Sequence, residues 1–374
     1  MELWVHGLPQ DRKSAFETLK RLGIANVVLG ADRVVIDEAV AAGFSVYPCT
    51  HAFGIRKGDP ESLLCLNIKG ERKAWFYSNC PSQPEVQERH LKKVQELAAI
   101  PGVKGVFVDA ARFASPASGI DAFFTCFCDR CRARAEGFGF DFERMRREVA
   151  LLFDRLHGAP DWMAAVRSAG DPMEPMAELP GVVDWLCFRA SCTAEHMRQV
   201  REALKACGTG LSLGMYVFTP CLSPLVGQVY PVLEEHVDIF APMIYRNGPP
   251  DAIAPVNSEF ARLWKDVSEA AGIGLEDAAR LVLRFAGYEA LLEEHSPGTL
   301  AGALPPSVVA GETARARARI GPERNLVPII WLDDADIERS ALAVREAGAD
   351  GVSFFSYRDG SEVLLERAVA ALSA

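Results

Sequence analysis

The sequence predicts an α/β fold, a (β/α)8 TIM barrel with long insertions in the loops after strands 3, 4 and 6. Three observations carry that expectation. Eight short runs rich in β-branched and aromatic residues recur along the 374 residues, most of them followed by a helical pattern. Several runs are apolar along their whole length instead of alternating, as a strand buried on both faces requires. No glycine-rich dinucleotide turn follows the first run, because His6-Gly7-Leu8-Pro9 does not fit GxGxxG, so an open doubly wound sheet loses its main support.

Leu3–His6 forms the first run, and Phe16, Leu19 and Leu22 give the next helix one apolar face. Asn26–Leu29 and Phe44–Pro48 are the second and third. A helix opens at Pro84, a favoured first-turn residue, and continues through Leu91, Val94 and Ala98. Gly105–Asp109 is the fourth run. The Trp185–Arg189 stretch precedes a helix marked by Met197, Val200 and Leu204, which leads to the fifth run, Leu211–Val217. Asp238–Tyr245 and Leu326–Leu332 are the sixth and seventh. Ile337, Ala341 and Val344 mark the helix before the eighth, Gly351–Tyr357, and Leu364, Ala368 and Leu372 mark the last helix.

A plain barrel needs about 250 residues. The excess falls at about 50–83, 110–185 and 246–324, with a helical stretch of its own at Phe142–Leu156. All three insertions follow strands, so they are expected to cover the C-terminal face, where barrel enzymes keep their active sites. Neither linker composition nor a longer repeat divides the chain, and residues 1–374 read as a single barrel domain.

Hydrophobic residues make up 49% and charged residues 24%, which excludes a disordered chain. The apolar runs are too short for a membrane span. The acidic start, Met1-Glu2-Leu3-Trp4, lacks the features of a secretory signal, so a cytoplasmic protein is expected. A net charge of −10 argues against nucleic acid or an anionic membrane as partner. Homo-oligomers stay open. Ten cysteines without an export signal read as reduced thiols or metal ligands.

In a barrel the last residues of each strand line the mouth. Read in order they are His6; Tyr47 and His51; Asp109 and Arg112; Tyr216; Met243, Tyr245 and Arg246; Trp331, Asp333 and Asp334; and Tyr357 and Arg358. Aromatics of this kind stack on sugar faces, and carboxylates cleave glycosidic bonds. Each also has a structural reading. Asp109 can pair with Arg112, Asp333 or Asp334 can cap the helix near Asp336, and the tyrosines can be core residues. Arg189, in an apolar stretch, satisfies either an internal carboxylate or a ligand. No two histidines stand at metal-ligand spacing on the rim, so neither a catalytic metal nor an organic cofactor is indicated.

Cys126-Phe127-Cys128-Asp129-Arg130-Cys131 is the most specific local motif. C-x-C-x2-C places three thiolates in one tight turn, three corners of a tetrahedral zinc site, and Cys80 upstream is the candidate fourth. Cys49, Cys65, Cys187, Cys192, Cys207 and Cys221 read as small buried apolar residues.

From Cys80-Pro81-Ser82-Gln83-Pro84-Glu85 to Cys131 the chain resembles the zinc-containing β-galactosidases among clan A glycoside hydrolases. The resemblance implies one structural zinc on Cys80, Cys126, Cys128 and Cys131. It also shows a departure: those enzymes end strand 4 with Asn-Glu, the Glu being the general acid/base, where this chain has Val108-Asp109-Ala110. Their strand 7 nucleophile is Glu, and the nearest acid here is Asp333. Gly105–Phe113, Asp184–Arg189, Leu225–Tyr230, Asp238–Tyr245 and Pro328–Tyr357 also resemble uncharacterised glycosidase-like barrels of bacteria. In those, an Asp ends strand 4 and Pro-Met-x-Tyr ends strand 6, matching Asp109 and Pro242-Met243-Ile244-Tyr245.

The expectation is therefore a carbohydrate-active barrel, a glycoside hydrolase using Asp109 and Asp333 as its carboxylate pair. Tyr216, Tyr245, Trp331 and Tyr357 would form the sugar platform, and His6, His51, Arg112, Arg189 and Arg246 would bind hydroxyls or tune charge. The alternatives are a non-catalytic carbohydrate-binding barrel, or an isomerase or lyase barrel that uses His and Asp for proton transfer.

Overall fold

A computed structural model describes residues 1–158, 177–208, 210–248 and 255–373. Parts of the second and third expected insertions, 159–176 and 249–254, lie outside the described residues. The main sheet is parallel and curled. Its strands are β1 (Glu2–His6), β2 (Asn26–Leu29), β3 (Ser45–His51), β4 (Gly105–Asp109), β5 (Ser212–Val217), β6 (Ile239–Pro242), β7 (Asn325–Leu326), β8 (Ile329–Trp331) and β9 (Gly351–Phe355). Their order is β8-β9-β1-β2-β3-β4-β5-β6-β7, so the two end strands are consecutive in the chain. Only Val327-Pro328 separates them. Proline has no N–H to give a ladder, and here the expected seventh run breaks in two. A parallel bridge from Met243 to Ile329 spans the same seam.

Sequence and structure also part elsewhere. The eighth run stops at Phe355, because Ser356 takes a φ of 69° and leaves the extended region. Trp185–Arg189 does not precede its helix but lies inside it, since that helix begins at Pro180 and runs to Cys207. Between β2 and β3 stands a helix the apolar pattern did not mark, Arg33–Ala41, whose N-cap Asp32 accepts from the amides of Val34 and Val35.

The helices α1 (Arg12–Arg21), α2 (Arg33–Ala41), α3 (Pro84–Ala98) and α4 (Pro180–Cys207) follow strands in turn. So do Ile337–Glu346 and Glu362–Ser373, which pack together near the C-terminus. Alternate side chains along each strand enter different layers. Val5, Val27, Val46, Val106, Val108, Leu213, Met215 and Phe354 join Leu19, Ile36, Val94 and Leu365 between sheet and helices. Trp4, Val28, Tyr47, Phe107, Tyr216, Ile239, Ala241 and Ile329 meet one another on the other face, the inside of the curl. A third cluster, centred on Trp75, Phe113, Phe124, Trp185 and the buried cysteines, fills the segments after β3 and β4. Among the described residues no helix is long and apolar enough to cross a membrane.

Two glycines let neighbouring strands close up. A Cβ on Gly214 would sit 2.4 Å from the Phe107 ring, and one on Gly105 only 2.1 Å from the Ser212 carbonyl oxygen. The first clash could be relieved by a ring movement, whereas the second is with backbone. Gly105→Ala is therefore expected to destabilise the protein by about 1–3 kcal/mol, the usual range for overpacking a close-packed interior. A urea denaturation midpoint equal to that of the wild type would show that β4 and β5 tolerate separation.

Candidate functional site

The inner-face alternation carries forward to the strand ends. Two residues beyond Trp4, Cys49, Phe107, Gly214, Met243, Ile329 and Ser353 come His6, His51, Asp109, Tyr216, Tyr245, Trp331 and Phe355. The pairing register sets His51 beside Asp109, and Phe355 between His6 and Trp331. Their rings form a contiguous wall. Tyr245 stacks on Phe355 with centroids 5.4 Å apart and meets Trp331 edge-on at 6.3 Å. Phe355 also meets His6 edge-on at 4.7 Å, and His6 stacks on Tyr216 at 5.4 Å. The His6 Nδ1 and the Tyr216 hydroxyl are hydrogen-bonded.

Asp109 is the carboxylate in this wall. Its Oδ1 accepts from the Ala110 amide at 2.7 Å, a contact made as Ala110 turns to a φ of 55°. Its charge is felt by Cys49, His51, Arg112, Tyr216 and Tyr245. Burial pushes both tyrosines well above their usual range, and Asp109 adds to the rise. Burial also holds His6 down at about 4. For His51 burial lowers the pKa, Asp109 opposes it, and Arg112 adds to it. The wall is thus built of neutral hydroxyl and imidazole groups, donors suited to the oxygens of a polyol.

Arg112 is buried between aromatic faces, its guanidinium carbon 4.8 Å from the Trp75 and Phe218 rings and 5.8 Å from Phe76. Its Nη1 donates to the Phe113 carbonyl at 3.1 Å. Behind it lies Glu259, only 1% exposed, which accepts from the Ser115 hydroxyl at 3.0 Å while its Oε2 has no partner. Burial raises Glu259 to about 7, and Arg112 pulls it back. His51 is anchored by Ser78, whose Oγ lies 2.8 Å from its Nε2, and by the Phe76 ring stacked 5.5 Å away. Trp75, Phe76, Ser78, Phe218 and Glu259 were not singled out in the sequence. They stand in loops or on a helix, off the strand-end positions, and only Trp75-Phe76-Tyr77 as an aromatic triplet offered a signal.

Five residues expected at the mouth have other partners. Tyr357 joins the layer between sheet and helices, because the positive φ of Ser356 interrupts the alternation that would have pointed it inward. Arg189 is wholly buried and donates to the carbonyls of Phe123, Thr125 and Leu225, with its guanidinium 3.8 Å over Trp185. It holds loops together rather than countering Asp109. Arg246 is 6% exposed and grips Asp334 with two bonds of 2.7–2.8 Å, while its Nη2 also reaches Asp336 at 2.7 Å. Asp334 is satisfied further by Ser340 and the Asp336 amide. Asp333 is ion-paired with Arg358 at the rim.

Cys80, Cys126, Cys128 and Cys131 are all buried, and their sulfurs lie within 4.8 Å of one another, so the group is able to hold a metal ion. The Leu66 amide points at the Cys126 sulfur at 3.2 Å and the Ser82 amide at the Cys80 sulfur at 3.4 Å, which favours thiolates. Cys65, read from sequence as an apolar filler, is drawn into the same cluster as a neighbour of Cys126 and Cys80.

His6 at about 4 and His196 at about 3 are both held neutral by burial. Below the ordinary value of 6.5 the unfolded chain binds protons that the folded one refuses until about pH 4, so stability is complete above 6.5 and is lost as pH falls toward 4. Urea midpoints between pH 7.5 and 4.5 should decline accordingly, and His6→Gln should flatten the decline. A pH-independent midpoint would mean that these imidazoles are charged in the folded state.

No protein-family profile matches the chain, and no characterised protein sequence matches it. Solved structures do share its fold. The glycoside hydrolase domain of PgaB from Bordetella bronchiseptica is similar at a TM-score of 0.54 and 13% identity, covering 100% of this chain and 98% of that one. A β-galactosidase from the psychrophilic Marinomonas ef1 aligns at 0.57 and 13%, covering 100% and 59%. Gan42B, a β-galactosidase from G. stearothermophilus, aligns at 0.53 and 12%, covering 99% and 56%. The chain therefore spans less than two thirds of either β-galactosidase. Its curled parallel sheet with surrounding helices is the fold seen in these glycoside hydrolases.

Proposed function

We propose that the chain is a glycoside hydrolase built on one (β/α)8 barrel, with β7 and β8 counted as the two halves of one strand. Its substrate would be an oligosaccharide or glycoside bound at the C-terminal end of the strands. The observation that carries the reading is Asp109, an inner-face carboxylate beside Tyr216, Tyr245, His51 and Arg112, in an aromatic wall continued by Trp331 and Phe355. Such a wall offers ring faces to a pyranose and hydroxyl donors to its oxygens. The likeness to glycoside hydrolases over the full length of the PgaB domain supports the substrate class.

Glycosidic cleavage needs a proton donor to the leaving oxygen and a second carboxylate on the opposite face, as nucleophile or as base for water. Asp109 would be one of the pair and Asp333 the second. Arg358 holds the Asp333 carboxylate at the rim by an ion pair. The same ion pair supports a second reading, a non-catalytic sugar-binding barrel in which Asp333 is structural and Asp109 only accepts hydrogen bonds.

Zinc is the metal we assign to the four cysteines. Four thiolates at about 2.3 Å from one ion stand about 3.8 Å apart. Cys80 to Cys128 measures 3.8 Å and Cys80 to Cys131 measures 3.6 Å, so the donor set fits. Bound there, the ion would tie the segment around Cys80 to the turn at Cys126. The buried cation of Arg189, close to Cys126 and Cys131, would offset the excess negative charge of four thiolates.

Turnover of a panel of aryl glycosides and oligosaccharides separates the two readings, and Asp109→Asn should lower kcat by about 10²–10⁴-fold. Full activity in that variant would remove Asp109 from the mechanism, and sugar binding without hydrolysis of any substrate would favour the binding barrel. Metal analysis of chelator-free protein should give near one equivalent of zinc per chain, with Cys126→Ser lowering both metal content and Tm. A reduced, folded sample holding no metal would defeat the zinc assignment.

A further inference from the structure

The segment between β3 and β4 contains a tight turn whose residues run against its own geometry. Trp75 and Ser78 face each other as an antiparallel bridge, and the Ser78 amide donates to the Trp75 carbonyl at 2.7 Å. The two central residues both have positive φ, 41° at Phe76 and 54° at Tyr77. A two-residue turn with both centres left-handed is normally Asn-Gly, Asp-Gly or Gly-Gly, because a Cβ is disfavoured there. Bulky aromatics in that conformation are genuine outliers, and outliers held by their surroundings mark functional positions.

The turn is held firmly, and it borders the candidate site. Ser78 bonds His51, the Ile55 amide donates to the Tyr77 carbonyl at 2.8 Å, and the buried Trp75 lies against Arg112. Phe76 rests on His51, the pairing neighbour of Asp109. Tyr77 alone is left outside, 83% exposed. Folding gains nothing from an exposed ring on a strained residue, whereas a ligand could use its face.

We propose that the Trp75–Ser78 turn is an oligosaccharide clamp, with Tyr77 as the stacking platform for a sugar unit beyond the one at Asp109 and Phe76 with His51 as the inner wall. The idea rests on the carbohydrate reading above and adds a preference for chains over monosaccharides. Strain in the turn is the cost of presenting an aromatic ring where an Asn-Gly turn would have none.

The test uses the full chain carrying Asp109→Asn, so that sugars bind without turnover, and gluco-, galacto- and chito-oligosaccharides of one to five units as probes by calorimetry. Added Tyr77→Ala should weaken binding of the longer chains by roughly threefold to tenfold, the size of one lost ring contact, and that of monosaccharides by less. The single change Tyr77→Gly should reproduce the loss without lowering Tm, because glycine fits the left-handed conformation and Phe76 keeps its place on His51. Equal affinities for longer chains with and without Tyr77 would overturn the clamp and leave the carbohydrate reading standing. A fall in Tm in the Tyr77→Gly variant would overturn it by showing that the turn is unstrained at Tyr77. If no sugar of any length bound the parent protein, clamp and carbohydrate reading would fall together.

Discussion

Burial of the sheet on both faces governs the molecule. Each strand of a curled parallel sheet must supply one set of side chains to the helix layer and the alternate set to the interior. Valines, leucines and isoleucines fill the first, and Trp4, Tyr47, Phe107 and Tyr216 the second. Large interior rings have to be accommodated, and glycine at 214 makes space for Phe107. The same parity decides which side chains emerge at the strand ends, so that packing and the candidate site are two ends of one constraint.

How much of this was legible in the sequence follows from that constraint. Wherever a strand ends in regular geometry, the alternation sets its tip on the inner face of the curl, and Asp109, His51, Tyr216, Tyr245 and Trp331 stand at such positions. Tyr357 fails by one dihedral, since nothing in Phe355-Ser356-Tyr357 announces that Ser356 turns left-handed. Arginines are harder still. A guanidinium buried against carbonyls, as in Arg189, and one locked to carboxylates, as in Arg246, look alike in sequence to one that awaits a ligand. Glu259 carried no signal, being one acid in an amphipathic helix that only the folded chain sets against Arg112. The α2 helix was missed because its β-branched Val34 and Val35 obscure a short pattern, although Asp32 was in place as a cap.

The region after β3 and β4 has a core of its own, and the thiols are at its centre. Trp75, Phe113, Phe124, Phe127, Phe142 and Trp185 surround the four cysteines. Chain from two separate loops meets there, and Trp75, at one edge of that core, is also the base of the aromatic turn beside His51. Trp75 thus packs with the thiol cluster on one side and with Arg112 of the wall on the other. Spacing marked the thiols, but their neighbourhood with the wall exists only in three dimensions.

The buried acids and bases of the wall have an electrical consequence. With Tyr216 and Tyr245 pushed far up and His6 held near 4, these three groups stay neutral through the whole neutral range. Glu259, near 7, is the exception, and it sits one guanidinium away from Asp109. A change of protonation there would reach the cavity only as a change in how strongly Arg112 is neutralised from behind, a dimmer on the field rather than a switch in the wall.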